Sequence, residues 1–255
     1  MIAGVVQLTD PHVGSAWQRA DPLDTLRAVV AAVRALPDRP QAALITGDLA
    51  GGGTDAQYAA LAPVLAQLEL PLFVLPGNHD ERPALRRHFA LPGEGEEPIQ
   101  YAVELEGLRV LMLDTLRSGQ PSGELGPERL AWIAAALGER PDTPTLLAMH
   151  HPPFLTGMAG MDGIALSAID RGELAALLDG HPQVVGVIAG HVHRAMTGQL
   201  PGRPAVTIPS TYCQSPLDFT RTDLPMEPEP VAFAVHTLVA GRLVSHVHAL
   251  PVTAA

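Results

Sequence analysis

Hydrophobic and polar positions along this chain alternate between strand-like runs and helical stripes. Residues 2–9 (IAGVVQLT) form a nearly unbroken apolar run that predicts a buried strand. Asp21-Pro22 then opens a helix, with aspartate as N-cap and proline at the first helical position. Leu23, Leu26, Val29, Val30 and Val33 share one face of it. Residues 42–46 (AALIT) predict the next strand, Thr54 caps a helix running to about Leu68, and residues 72–75 (LFVL) predict a third strand. This βαβαβ order is that of a parallel sheet covered by helices.

The order then changes. Residues 99–105 and 108–113 pattern as a hairpin turning at Glu106-Gly107. Gly126 to Leu137 is helical, with Leu130, Ile133, Ala134 and Leu137 at helical spacing. A strand at 145–149 (TLLAM), a Gly- and Met-rich loop over 152–167, a helix at 171–179 and a strand at 184–189 (VVGVIA) follow. Three or four further strands close the chain, including a hairpin of 231–238 with 242–250. The prolines and acids of 213–230 mark a loop. The fold class expected is α/β with one domain over 1–255: a core over about 1–212, and a loop and β-hairpin over 213–255 that complete a second sheet or form an oligomer contact.

Composition narrows the possible partners. Apolar residues make up 47% and charged residues 17%, enough for a sizeable core and too little charge for long disorder. The net charge is −11, and all 16 basic residues are arginine. That balance argues against binding nucleic acid or a membrane surface. Anionic substrates stay open, because metal ions invert the local field. Cys213 is the only cysteine, so no internal disulfide forms. No basic n-region or apolar run of about 20 residues suggests a leader or a membrane span. A cytoplasmic protein is expected.

Five short clusters carry the candidate chemistry: Asp10-Pro11-His12, Gly47-Asp48, Gly77-Asn78-His79-Asp80, His150-His151 and Gly190-His191-Val192-His193. Four come directly after an apolar, β-branched run. The carboxyl ends of strands in an α/β fold meet at one crevice. Carboxylate, amide and imidazole groups gathered there suit a pair of divalent or trivalent metals and a phosphate ester. Side chains at i and i+2 of a strand end point to one side, so Asp10 with His12, and His191 with His193, could each serve one metal. Each cluster alone has a plainer reading as a turn aspartate, an asparagine turn or a surface histidine. His79 could reach a substrate without binding metal, with Asp80 fixing its tautomer. His88, His181, His236, His246 and His248 are set aside; His246-Val247-His248 copies the H-x-H spacing but lies inside a strand. No nearby positive charge marks Cys213 as a nucleophile.

Taken together, D-x-H, GD, PGNHD, MHHPP and AGHVH resemble the calcineurin-like metallophosphoesterase superfamily. They look most like its class III cyclic-nucleotide phosphodiesterase and glycerophosphodiesterase branch, over about residues 1–212. The resemblance implies a two-sheet β-sandwich flanked by helices, in αββα layers. It also implies two metal ions, Mn, Fe or Zn. Asp10, His12, Asp48 and His193 would hold one, and Asp48, Asn78, His150 and His191 the other. His79 would stay off the metals, beside the phosphate or leaving-group oxygen, while a metal-activated hydroxide attacks phosphorus. Leu49-Ala50-Gly51-Gly52-Gly53 follows Asp48 where the purple acid phosphatase branch carries a tyrosine.

The expected activity is hydrolysis of small phosphodiesters, with 3′,5′-cyclic AMP a candidate. The alternatives are a broad-specificity phosphomonoesterase, a glycerophosphodiesterase and a non-catalytic metal-binding scaffold. Asn78, His79, His151, Trp17 and Tyr212 are the candidate substrate contacts. A homodimer or larger homo-oligomer is a further expectation, through 213–250.

Overall fold

The computed structural model describes residues 2–251. Position 1 and positions 252–255, which the expected domain and its C-terminal segment include, lie outside them. Two sheets face each other. The first contains β1 (Ile2–Leu8), β2 (Pro40–Thr46), β3 (Leu72–Leu75), β10 (Ala232–Val239) and β11 (Arg242–Ala249), in the order β11-β10-β1-β2-β3. β1, β2 and β3 run parallel; β10 and β11 are antiparallel additions. The second contains β4 (Tyr101–Leu105), β5 (Leu108–Leu113), β6 (Thr145–Met149), β7 (Val184–Ala189), β8 (Met196–Leu200) and β9 (Arg203–Thr207), ordered β4-β5-β6-β7-β9-β8.

The inner faces of the two sheets meet through Val5, Ala42 and Leu44 on one side and Val110, Met112, Leu146, Ala148 and Ile188 on the other. The outer face of the first sheet is covered by α1 (Pro22–Arg34), α2 (Asp55–Ala66) and α3 (Arg82–His88). α4 (Gly126–Glu139) and α6 (Ala168–Asp179) cover the second. The helix starts follow the sequence signals. Asp21 accepts from Leu23 N–H, and Thr54 with Gln57 forms a capping box. The αββα sandwich is therefore present as expected.

Three boundaries differ. The C-terminal hairpin joins the first sheet, not the second. β1 would otherwise expose an apolar edge, and Gly4 admits β10 there: a Cβ at Gly4 would lie 2.2 Å from the His236 carbonyl oxygen. α6 starts at Ala168, not 171, because Ser167 caps it through Asp170 N–H. A short helix, α5 (Ala159–Gly163), interrupts the expected 152–167 loop.

Candidate metal centre

The loops leaving β1, β2, β3, β6 and β7 converge, and all seven sequence-predicted ligands lie on them. The backbone laces these loops together. Asp10 N–H donates to Gly47 O (3.1 Å), His12 N–H to Asp48 O (2.9 Å), and His79 N–H to the Asp48 Oδ1 carboxylate oxygen (2.8 Å). Close approach depends on missing side chains. A Cβ at Gly77 would lie 2.2 Å from Asp48 Oδ1, and one at Gly47 2.4 Å from His150 Nδ1.

Strand alternation is not what brings the D-x-H and H-x-H pairs together. β1 ends at Leu8 and β7 at Ala189, before either pair. Asp10 (φ 52°), His12 (45°), Asp48 (51°), His191 (68°) and His193 (53°) all adopt left-handed backbone. Aspartate and histidine tolerate that region better than most side chains, and clusters of it mark functional sites. Each reversal turns the chain so that alternate side chains face the crevice while Val192 packs away from it, fully buried.

Two overlapping sets of groups result. One donor atom each comes within 4.8 Å in Asp10-His12-His193 and His12-Asp48-His79 on one side, and in Asp10-Asp48-His150 and His150-His151-His191 on the other. His12 Nε2 is 3.1 Å from His193 Nε2 and 3.5 Å from Asp48 Oδ2. His150 Nε2 is 3.1 Å from Asn78 Oδ1 and 3.4 Å from Asp48 Oδ2. Asp48 thus touches both sets. Two imidazole tautomers are set by carbonyls, which only accept: His150 Nδ1–H donates to Thr46 O (2.9 Å) and His193 Nδ1–H to Cys213 O (2.7 Å). Each leaves Nε2 pointing inward, where loss of its proton exposes a lone pair, the arrangement metal-binding histidines use. His191 Nε2 is buried with no hydrogen-bond partner. This donor set fits a pair of cations with nitrogen and oxygen ligands.

The electrostatics agree. Burial opposes charge on Asp48, but His150 and His12 outweigh it and hold the carboxyl well below its ordinary range. Asp10 is likewise lowered, with His193 and His150 overcoming burial. Burial also opposes charge on His150 and His193, yet the adjacent carboxylates Asp48 and Asp10 raise them to about 9 and about 10. His12 is pushed down to about 3, chiefly by burial. Without metal, protons on His150 and His193 thus compensate charge that cations would otherwise neutralise.

Three sequence expectations need correcting. Asp80 does not fix the tautomer of His79. Its carboxylate accepts from Leu49 N–H (3.1 Å), Ala50 N–H (3.2 Å), Gly77 N–H (2.9 Å) and Tyr58 O–H (2.8 Å), which turns it into the fold. The His79 tautomer is set by Gly51, whose carbonyl accepts from Nδ1–H at 3.2 Å. His151 is no substrate contact: it is fully buried, with Nδ1 2.8 Å from Thr115 Oγ1 and Nε2 donating to Pro121 O. Tyr212 is also buried, and its hydroxyl accepts from Gln18 N–H (2.9 Å). It backs Trp17, stacking at 6.3 Å and 27°.

Trp17 itself is 40% exposed, its ring 4.5 Å from that of His12 and 5.7 Å from that of His79. With His79, Leu224, Pro225 and Met226 it lines an open cleft of about 390 Å³. The residues 224–226 lie in a segment the sequence marks only as loop, and no periodicity could have singled them out. Of the histidines set aside, His248 packs on Phe233 (5.1 Å) and His88 pairs with Asp55 (3.0 Å).

A two-sheet sandwich with buried His and Asp side chains and a half-buried Asn gathered at the carboxyl ends of its strands defines a metal-dependent phosphoesterase. The sequence model described as calcineurin-like phosphoesterase matches residues 4–195, and the chain belongs to that family. It is 32% identical over 226 residues to the glycerophosphodiester phosphodiesterase GpdQ of Enterobacter lignolyticus, covering 87% of this chain and 81% of that one. It is also 32% identical to the 3′,5′-cyclic adenosine monophosphate phosphodiesterase CpdA of Escherichia coli K12, covering 82% and 76%. A dimetal phosphatase from Danio rerio shares the fold over 99% of both chains, with a TM-score of 0.72 and 18% identity. No helix among the described residues is long and apolar enough to cross a membrane.

Proposed function

We propose that this chain hydrolyses small phosphodiesters, 3′,5′-cyclic AMP among them, at a pair of metal ions. Asp10, His12, Asp48 and His193 would hold one ion, and Asp48, Asn78, His150 and His191 the other. The observation that carries the reading is that one carboxylate, Asp48, lies within 3.5 Å of imidazoles of both sets. When bound, two such cations offset phosphate charge and make water acidic enough to serve as nucleophile near neutral pH. Mn, Fe and Zn all suit the ligand set.

The chain's own groups would do the rest. Asn78 directs Oδ1 towards His150, leaving its amide N–H groups for a phosphate oxygen. His79 donates Nδ1–H to Gly51 O, so Nε2 is the nitrogen that, with the ring carrying a second proton, would pass that proton to the departing alkoxide. The Trp17 face and the Leu224-Pro225-Met226 wall beside His79 offer an apolar surface for the leaving group, and a purine stacks on such a face. The cyclic-nucleotide and glycerophosphodiester activities named for relatives support a diester. A glycerophosphodiester is the second reading, favoured by the GpdQ relative. A cytoplasmic location, consistent with the single cysteine, belongs to the same proposal.

Metal-reconstituted protein assayed against cyclic AMP, glycerophosphodiesters, bis-p-nitrophenyl phosphate and p-nitrophenyl phosphate tests it. Diesters should have the higher kcat/KM. Faster turnover of the monoester would overturn the diester reading.

A further inference from the structure

A buried polar chain leads from the metal centre into the C-terminal hairpin. On β10, His236 places Nδ1 2.8 Å from Ser245 Oγ and Nε2 2.8 Å from Gln7 Oε1 on β1. Gln7 Nε2 is 2.8 Å from Thr46 Oγ1 and 3.0 Å from Ala189 O. Thr46 Oγ1 is 2.8 Å from Thr9 Oγ1, which is 2.6 Å from Asp10 Oδ2. Gln7, Thr9, Asp10, Thr46 and His236 are all completely buried.

The direction of every hydrogen in this chain follows from its fixed points. Ala189 O only accepts, so the Gln7 nitrogen must face it and Thr46, which leaves Oε1 towards His236. Oε1 only accepts, so His236 carries its hydrogen on Nε2, and Nδ1 accepts from the Ser245 hydroxyl. At the other end the Asp10 carboxylate only accepts, so Thr9 O–H points to it. Thr9 Oγ1 is then free to accept from Thr46 O–H, and Thr46 Oγ1 from Gln7 N–H. Five consecutive donors therefore point the same way and end on one carboxylate oxygen. Bonds aligned in this manner polarise and strengthen one another.

The end of the chain is where it bears on the site. His191 N–H is shared between the two Asp10 oxygens, 3.1 Å from Oδ2 and 3.2 Å from Oδ1, so the Thr9 hydroxyl at 2.6 Å is what distinguishes Oδ2. Oδ1 is turned towards the imidazoles, 3.4 Å from His193 Nε2 and 3.9 Å from His12 Nε2. Gly190 leaves the room: a Cβ there would lie 2.1 Å from Thr9 Oγ1 and 2.7 Å from Asp10 Oδ2. Packing alone gives no reason for this arrangement. Apolar side chains would fill the space between β1, β2, β7 and β10 without the cost of burying five polar groups.

We propose that His236, Gln7, Thr46 and Thr9 are positioning residues for Asp10, making the C-terminal hairpin a functional part of the metal centre. The hairpin lies outside the matched residues 4–195. The proposal rests on the reading of Asp10 as a metal ligand. The chain would hold Asp10 in a single orientation, with Oδ1 presented to the cation and Oδ2 withheld.

The test is Mn²⁺ binding by the folded, full-length protein, followed by equilibrium dialysis with elemental analysis and by Mn²⁺ electron paramagnetic resonance. Thr46→Val breaks the chain isosterically within a strand, and His236→Leu removes its entry point. Each should weaken one of two Mn²⁺ sites by about 10- to 100-fold and leave the other bound. His236→Gln can still donate to Gln7 Oε1, so its affinity should return to within about threefold of wild type. If Thr46→Val and His236→Leu bind both ions like wild type, even with a lowered Tm, the chain is structural only and the proposal fails. Should His236→Leu not fold, Thr46→Val alone decides. A wild-type protein that binds no pair of Mn²⁺ removes the metal reading, and with it this proposal.

Discussion

Asp80 gives the sharpest test of how the site is held together. Its two oxygens accept four hydrogen bonds, from both sides of the crevice: Leu49 and Ala50 follow the Asp48 turn, and Gly77 precedes Asn78. Asp80→Ala leaves four buried donors without a partner, at roughly 1–3 kcal/mol each. Even at the low end that is about 4 kcal/mol. Asp80→Asn should cost much less. The amide can keep its oxygen on Leu49 and Gly77 N–H and turn its nitrogen to Tyr58, whose hydroxyl is able to accept. Ala50 N–H and the Tyr58 hydroxyl hydrogen are then left without acceptors, for about 2 kcal/mol at the low end of the same range. Burial and the nearby Asp48 charge raise Asp80 to about 6, so removing the carboxylate also relieves some strain. That relief is common to both variants, and their difference is the cleaner quantity. Urea unfolding of metal-free protein at one pH, extrapolated linearly, measures it. Equal stabilities for the two variants, or an Asp80→Ala within about 1 kcal/mol of wild type, would refute the staple. A partner that merely oriented His79 would change kcat and leave stability alone.

Three further outcomes are expected. His79→Ala should lower kcat by about 10²- to 10⁴-fold while both metals stay bound; metal loss by elemental analysis would contradict its place off the metals. Asp48→Ala should lower occupancy at both sites, and two tightly bound ions in that variant would exclude it as the shared ligand. His236 is held at about 3, by burial first and by His246 second, against about 6.5 in the unfolded chain. Between pH 7 and pH 5 the unfolded state therefore takes up a proton that the folded state does not, and stability falls as pH falls. Wild type should lose about 2 kcal/mol more than His236→Gln over that interval; parallel urea-denaturation curves at the two pH values would count against a buried neutral His236.

The sequence makes the strands legible because their apolar runs are long and end abruptly at polar clusters. The five clusters lie in the loops that follow the carboxyl ends of β1, β2, β3, β6 and β7. Local geometry was harder to read. The i, i+2 spacing of Asp10 with His12 suggests strand alternation, yet both residues lie past the strand in left-handed backbone. That conformation depends on neighbouring loops, through bonds such as His12 N–H to Asp48 O, and no local signal encodes it. Asp80 was misread for the same reason. Adjacency to His79 suggests a pair, whereas two of its four donors come from the loop after Asp48, some thirty residues earlier, and a third, Tyr58, from α2.

The histidines show why residue type and spacing cannot finish the argument. His246 and His248 copy the spacing of His191 and His193, but β11 is the outer strand of its sheet and carries them away from the crevice. His236 has no motif at all, yet its imidazole connects through Gln7, Thr46 and Thr9 to Asp10. A ligand must have particular donor atoms, so ligands leave a chemical signature that can be read from the sequence. A residue that orients a ligand needs only one hydrogen bond of the right direction, which many side chains can supply. The apolar wall at Leu224, Pro225 and Met226 is less constrained still, since any side chains of suitable size would form it. Legibility in this chain therefore falls with distance from the candidate metal ligands, and at the 224–226 wall folding, not composition, is what brings the residues beside His79.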